Sequence, residues 1–420
     1  MINDTNITEC ANELSDAQEA FIIAVSWWLE TFSCMLVGVI GLVLNIFAMS
    51  ILITPTMWNN LFNRLLLCLT AYDVLFILCG LLEIFRQKYQ NHVQQYLFVH
   101  LLYPIRSMSM CCSIYTTIVL TLERYQAITS PIKHRNQRAN NMANITKPLL
   151  IYILPVTILS IVYYLPKFFD LTIAEGYDCD ENTLTALKND SDVKDVELER
   201  RNCTPSFKIR PTNLRINKTY IFWYLNVSNL IVTCVVPIIL LIFMNGRIAI
   251  SLQQLQNRRS KNNANRCNRS DSGTKNEQQD RHHSSLHDVK KFFILFSIVV
   301  LFILCHSLRI TMNFAEFVNA EILSKERQKG CNELSYWHFF SIPLSEILLL
   351  LNASAHFFVY LLFDKTFQEI AKNRLFSLKR FIHCSFENSR QESLQMQERV
   401  PLKDKEDLSN GNIATLRTEA

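Results

Sequence analysis

The sequence predicts an all-α membrane protein, a bundle of seven transmembrane helices followed by a short amphipathic juxtamembrane helix. Three observations carry this. Hydrophobic residues make up 49% of the 420 and charged residues only 19%, against roughly 25% charged in a soluble domain. Seven mostly apolar runs, about 25–53, 62–85, 98–127, 147–166, 220–247, 289–315 and 336–362, are long enough to be spans; crossing about 30 Å of hydrocarbon takes roughly 20 helical residues. The charges gather between these runs, and they do so asymmetrically.

The elements follow in order. Residues 1–24 form an N-terminal tail whose first nineteen residues hold five acids and no Lys or Arg. That is not a basic leader region, so the first span is expected to act as the insertion signal. The segment after span three carries Lys133, His134, Arg135, Arg138 and Lys147 with no acid, and the segment between spans five and six has ten Lys/Arg against four Asp/Glu. Basic loops stay in the cytoplasm, which puts the N-terminus outside and the C-terminus inside. The loop of about 167–219 mixes acids and bases and is large enough to cover an outer cavity. Residues 253–287 are polar and expected to be disordered. The spanning domain then runs 25–363. Residues 364–380 read as the amphipathic helix, with Phe367, Ile370, Leu375 and Phe376 on the bilayer and Lys372 and Arg374 toward headgroups. The tail, 381–420, is expected to be disordered.

This topology sorts the modification motifs. Asn3, Asn6, Asn189, Asn202 and Asn217 head N-x-S/T triplets on the outer side and are candidate glycosylation sites; Asn144 and Asn268 would face the cytoplasm. Cys10, Cys179, Cys203 and Cys331 fall outside, where disulfides persist. Of their three pairings, Cys179–Cys203 with Cys10–Cys331 is favoured, and one or more free thiols is the alternative. Cys384, just past the amphipathic helix, is a candidate for palmitoylation or an unmodified thiol. Ser385, Ser389 and Ser393 in the tail are candidate phosphorylation sites or plain linker.

Ionisable groups inside spans are costly and therefore functional suspects. Asp73 sits in the middle of span two, Asn45 lies within span one, and Glu123-Arg124-Tyr125 closes span three. Glu123-Arg124-Tyr125, followed by Pro131, resembles the Asp/Glu-Arg-Tyr switch of the rhodopsin-like (class A) G-protein-coupled receptors. Asn45 and Asp73 fall where that family keeps its span-one Asn and span-two Asp. Counted from Arg124, Ile114, Pro237 and Phe302 match the family's core connector. Asp288 matches an acid that can pair with the span-three Arg at rest; a solvated helix cap is the alternative. Asp73, Ser113 and Asn352 match members of the family's sodium site, but His356 replaces another. The resemblance therefore implies no cofactor beyond a doubtful sodium, and no other metal.

The chain also departs from the family. Span six reads Cys305-His306-Ser307-Leu308 in place of Cys-Trp-x-Pro. Span seven reads His356-Phe357-Phe358-Val359-Tyr360 in place of Asn-Pro-x-x-Tyr, which keeps Tyr360 of the switch. Without those prolines both helices are expected to be straighter. Cys305 to Arg309, Asn352-Ala353-Ser354, Leu165-Pro166-Lys167-Phe168-Phe169-Asp170 and Tyr103-Pro104-Ile105 resemble the invertebrate FMRFamide-receptor group. There the usual outer Cys is absent; Val99 occupies its place. The resemblance implies an extracellular neuropeptide ligand, a heterotrimeric G protein, arrestin and a receptor kinase as partners, and the plasma membrane as location.

Helical spacing selects the pocket. Arg106 lies eighteen residues, five turns, before Arg124, so the two share a face. An Arg there repels a cationic amine, and span seven has no Lys before Lys365 to bind retinal. Glu83, Arg309, Asn313, Glu316 and Glu346 lie toward the outer end. A ligand ending in Arg-Phe-amide would offer its guanidinium to Glu346 or Glu83 in bidentate geometry, its amide to Arg106, His306 or Asn313, and its ring to Phe314, Phe339 or Phe340. The competing reading is internal pairing, Arg106 with Glu83 or Arg309 with Glu346. His306 and His356 are alternatively hydrogen-bonded core residues. A transporter would show paired repeats with broken helices, and a hydrolase a nucleophile–base or H-E-x-x-H constellation; neither pattern is found. A net charge of +5 is too small to suggest nucleic acid. The rival left open is a receptor-like protein that has lost signalling with its Trp and prolines.

Overall fold

The structure is a computed structural model and describes residues 21, 24–25, 27–88, 92–130, 147–178, 204–267, 293–294, 296–312, 314 and 336–398. Seven apolar helices run in chain order: α1 (Trp27–Leu52), α2 (Leu61–Lys88), α3 (His92–Thr129), α4 (Lys147–Phe169), α5 (Lys218–Gln254, helical on to Cys267), α6 (Phe296–Met312) and α7 (Tyr336–Phe363). Six are long and apolar enough to cross a membrane; the described part of α6 is a shorter apolar helix. This is the expected seven-helix membrane bundle.

Small and hydroxyl residues let the helices close on one another. The inward stripe of α1 is Gly38, Gly41, Asn45, Ala48 and Leu52. A Cβ on Gly38 would lie 2.7 Å from a Leu81 methyl, and one on Gly41 would land on the Ser354 hydroxyl. The glycines thus set how near α1 comes to α2 and α7. The buried stripe of α3 runs Ser109, Ser113, Thr116, Leu120 and Arg124. Thr117 and Thr121 donate to carbonyls one turn back, Ser113 O at 3.1 Å and Thr117 O at 2.9 Å, which satisfies hydroxyls that lipid could not. In the opposite direction, Ile151, Leu159 and Val162 of α4 and Ile239 and Phe243 of α5 are exposed, as a lipid-facing surface requires. Near their N-terminal ends α1, α3 and α5 widen into π-helical turns, Trp27–Ser33, Phe98–Leu102, Ile221–Ser228 and Ile231–Val235.

Three features differ from expectation. The loop between α4 and α5 holds an antiparallel hairpin, β1 (Leu171–Asp178) and β2 (Thr204–Pro211), paired from Leu171↔Pro211 to Asp178↔Thr204. Leu171, Ile173 and Ile209 alternate along it and pack on Cys79, Phe98, Val99 and Leu102 at one end of α2 and α3. This is called the hairpin end below. Secondly, α5 stays helical to Cys267, well into the segment expected to be disordered, and α8 (Lys365–Glu398) continues past 380 into the expected disordered tail. Both extensions are polar, which suggested disorder, but the first holds three Gln and three Arg and the second three Gln and three Glu, all good helix formers. From Thr366 onward the chain is a separate compact unit, steadied locally by Arg380 over the Phe376 ring. Thirdly, α7 does contain a proline, Pro343, three residues before Glu346 instead of in the His356 segment.

Candidate functional site

At the hairpin end, four helices meet in one ion network. Arg106 of α3 donates through Nη1 to Glu83 Oε2 of α2 at 2.6 Å and through Nη2 to Glu346 of α7. Arg309 of α6 lies 3.6 Å from the other oxygen of Glu346. The four side chains are 21–30% exposed. Both internal pairings open at the level of sequence are present together, joined by the unforeseen Arg106–Glu346 bridge. Arg106 is the hub, with two hydrogen-bonded carboxylates and the Phe76 ring 5.2 Å from its guanidinium carbon. Arg309 is the loose member. Its contact exceeds hydrogen-bonding distance, and its Nε has no partner among the described residues.

A second polar cluster sits at the root of the hairpin. Asp170 is fully buried. Its carboxylate accepts from Tyr220 OH at 2.6 Å, Arg215 Nη1 at 3.1 Å and Tyr103 OH at 3.3 Å. Its carbonyl accepts from Thr212 N at 3.0 Å and Thr212 Oγ1 at 3.1 Å. One carboxylate thereby clasps the ends of α3, α4 and α5 to both strands. Lys167, three residues earlier, donates to Tyr103 OH at 3.2 Å. Sequence reasoning noticed Lys167 and Asp170 only as part of a family-like string; no helical period assigns them a role, because Leu165–Phe169 is a 3-10 turn.

The middle of the bundle is organised by Asp73. Ser113 Oγ donates to its Oδ1 at 2.6 Å, and His356 Nδ1 stands 2.7 Å from its Oδ2. Asn45 donates to Gly41 O at 2.9 Å and across to Ala353 O at 3.1 Å, tying α1 to α7. Asp73, Ser113, Ile114, His306 and Asn352 border a cavity of about 20 Å³, enough for roughly one water. Each Asp73 oxygen has one partner here, and the imidazole of His356 stands where the resemblance places another member of the sodium site. His306 is buried, its Nδ1 has no partner among the described residues, and its ring lies 4.2 Å from that of Phe302.

Toward the opposite end, Ile114 and Phe302 share one cluster with Leu241 and Val299. Pro237 is buried one turn before Leu241. At the Arg124 end, Arg124 Nη2 donates to Glu123 Oε1 at 2.8 Å, and Phe62 stacks 4.2 Å from the guanidinium carbon. Glu123 and Arg124 are buried, Tyr125 is half-buried and Tyr360 is buried. Asn217 is exposed and caps a helix turn with Oδ1, accepting from Thr219 N at 2.9 Å and Tyr220 N at 3.3 Å. Cys384 is exposed. Cys10, Cys179, Cys203, Cys331, Asn3, Asn6, Asn189, Asn202, Asp288 and Asn313, and the side chain of Phe339, lie outside the described residues.

Residues 44–352 match the family described as 7 transmembrane receptor (rhodopsin family). The chain is 26% identical over 356 residues to a Drosophila melanogaster protein named FMRFamide receptor, covering 82% of this chain and 53% of that one. It is 23% identical over 379 residues to the Caenorhabditis elegans probable G-protein coupled receptor frpr-1, covering 86% and 82%. To the Caenorhabditis elegans FMRFamide peptide receptor frpr-18 it is 21% identical over 345 residues, covering 80% and 66%. The chain thus spans about half the length of the Drosophila relative.

Proposed function

Because the chain belongs to the rhodopsin family of seven-transmembrane receptors, we propose that it is a G-protein-coupled receptor for an extracellular neuropeptide ending in Arg-Phe-amide. Membership of that family makes the protein a multi-pass membrane receptor and not an enzyme. The names of the relatives support the ligand class. The observation that carries the reading is the uneven hold on Glu346. Arg106 grips it with a hydrogen bond, while Arg309 only neighbours it at 3.6 Å. An entering guanidinium can take Arg309's place on that carboxylate in bidentate form without stripping Arg106 of its partners.

The consequence travels along one helix face. Phe302, His306 and Arg309 are spaced four and three residues apart on α6, so they share a side. A displaced Arg309 would shift the balance of α6 and with it the Phe302–Ile114 packing beneath. Ligand that favours that arrangement shifts the population toward it. The readout is the Arg124 end, where the Glu123–Arg124 pair, Ile132 and the basic segment after α5 meet a heterotrimeric G protein. An arrestin and a receptor kinase would act on the same face and on tail serines. In this reading the hairpin end and the N-terminus face outward at the plasma membrane, and Asn217 carries a glycan.

Transfected cells challenged with a panel of amidated peptides, read by calcium or cAMP, test this. An Arg-Phe-amide peptide should elicit a response that Arg124→Ala abolishes at equal surface expression. Silence of the expressed receptor toward the whole panel would overturn the ligand assignment. A response undiminished in Arg124→Ala would overturn the switch.

A further inference from the structure

Among the described residues, most of the buried and half-buried charges at the hairpin end are matched in ion pairs. Glu83 and Glu346 answer Arg106 and Arg309. Asp170 answers Arg215 at 3.1 Å. Lys167 has no carboxylate of its own among the described residues. Its ammonium donates to Tyr103 OH, a hydroxyl that already serves Asp170 and Arg215, and it lies over the rings of Tyr103 at 4.6 Å and Tyr164 at 5.8 Å. Asp170 has its own three donors. Arg215 shares the Tyr103 hydroxyl with Lys167, and Asp170 accepts from that same hydroxyl.

A half-buried ammonium with three donors, two aromatic walls and a single hydroxyl acceptor that it shares with Arg215 keeps donors for an incoming anion. Charges withdrawn from water are stable when paired. The aromatic faces hold the cation in place but accept no hydrogen bond of ordinary strength. We infer that Lys167, between Tyr103 and Tyr164, is a subsite for a carboxylate carried by the ligand. The inference rests on the reading of the hairpin end as the ligand-facing end. The carboxylate can come from an acidic side chain or from a free peptide C-terminus. A ligand bearing both a guanidinium for Glu346 and a carboxylate for Lys167 would be oriented as well as bound.

The test needs no agonist. Full-length receptor in lipid nanodiscs is unfolded thermally with matched small probes: N-acetyl-glutamic acid α-amide against N-acetyl-glutaminamide for the side-chain source, and N-acetyl-phenylalanine against N-acetyl-phenylalaninamide for the terminal source. A ligand that binds only the folded state raises its melting temperature. At least one carboxylate should stabilise the protein by a few degrees over its neutral twin. Lys167→Gln should erase that difference and Lys167→Arg should keep it. The pair that responds names the source. Equal shifts within both pairs, or a preference that persists in Lys167→Gln, would overturn the subsite. If the carboxylate preference holds while no Arg-Phe-amide peptide activates the receptor, the ligand assignment fails and the subsite stands.

Discussion

At the scale of single residues, function concentrates in a few charges that a bilayer would otherwise exclude. Glu346 accepts from Arg106 and only neighbours Arg309, and the ligand reading depends on that difference. Glu346→Gln should raise the half-maximal concentration of an Arg-Phe-amide peptide by about tenfold to a hundredfold. It should change that of the matched citrulline peptide far less; equal losses in a dose–response series would remove Glu346 from ligand contact. Asp73 supplies a second expectation. With Ser113 and His356 on its two oxygens, a cation would have to compete there with an imidazole. Exchanging sodium for N-methylglucamine in the binding buffer should leave agonist affinity within about twofold, and a larger shift would mean that His356 leaves the carboxylate. Much of this was legible beforehand, because eighteen residues of regular helix carry Arg106 onto the face of Arg124. Lys167 and Asp170 were not, because a 3-10 turn separates them from the period by which the rest of α4 was read.

Among the elements, the hairpin is the unforeseen one. Its signal was present: Leu171 and Ile173 alternate before the acidic stretch, and Phe207 and Ile209 alternate after it. That loop is long and highly charged, and the short alternations at its two edges do not stand out until they are paired. Val99 stands where the wider family usually carries a cysteine, as the resemblance to the narrower group implied, and the hairpin root is held by apolar contact and by the Asp170 clasp. Asp170→Asn keeps the shape but weakens charge-assisted bonds from Arg215 and Tyr220. It should cost about 2–3 kcal/mol, measured as a fall in the melting temperature of the purified receptor, with ligand binding lost before the fold. Cys179 and Cys203 immediately flank the outermost described pair, Asp178↔Thr204. Non-reducing peptide mapping should recover them linked to each other; recovery as free thiols would contradict the favoured pairing.

For the whole molecule, the seven apolar helices were readable because each had to satisfy its backbone internally across a fixed thickness of hydrocarbon. The helical extensions of α5 and α8 were not, since polar composition alone does not separate a solvated helix from a disordered chain. Tags at the two chain ends should be accessible on opposite sides of intact cells, the N-terminal one to antibody without permeabilisation. Both ends on one side would contradict an odd number of crossings. The π-helical turns in the hairpin-end half of α5 add a geometric consequence. A π turn takes more residues than an α turn, so each one rotates everything beyond it out of phase with the rest of the helix. Cysteine accessibility scanned along Ile221–Val235 should therefore peak at every fourth or fifth position instead of every third or fourth. Anyone choosing ligand contacts there by counting outward from Pro237 would select side chains that point at lipid.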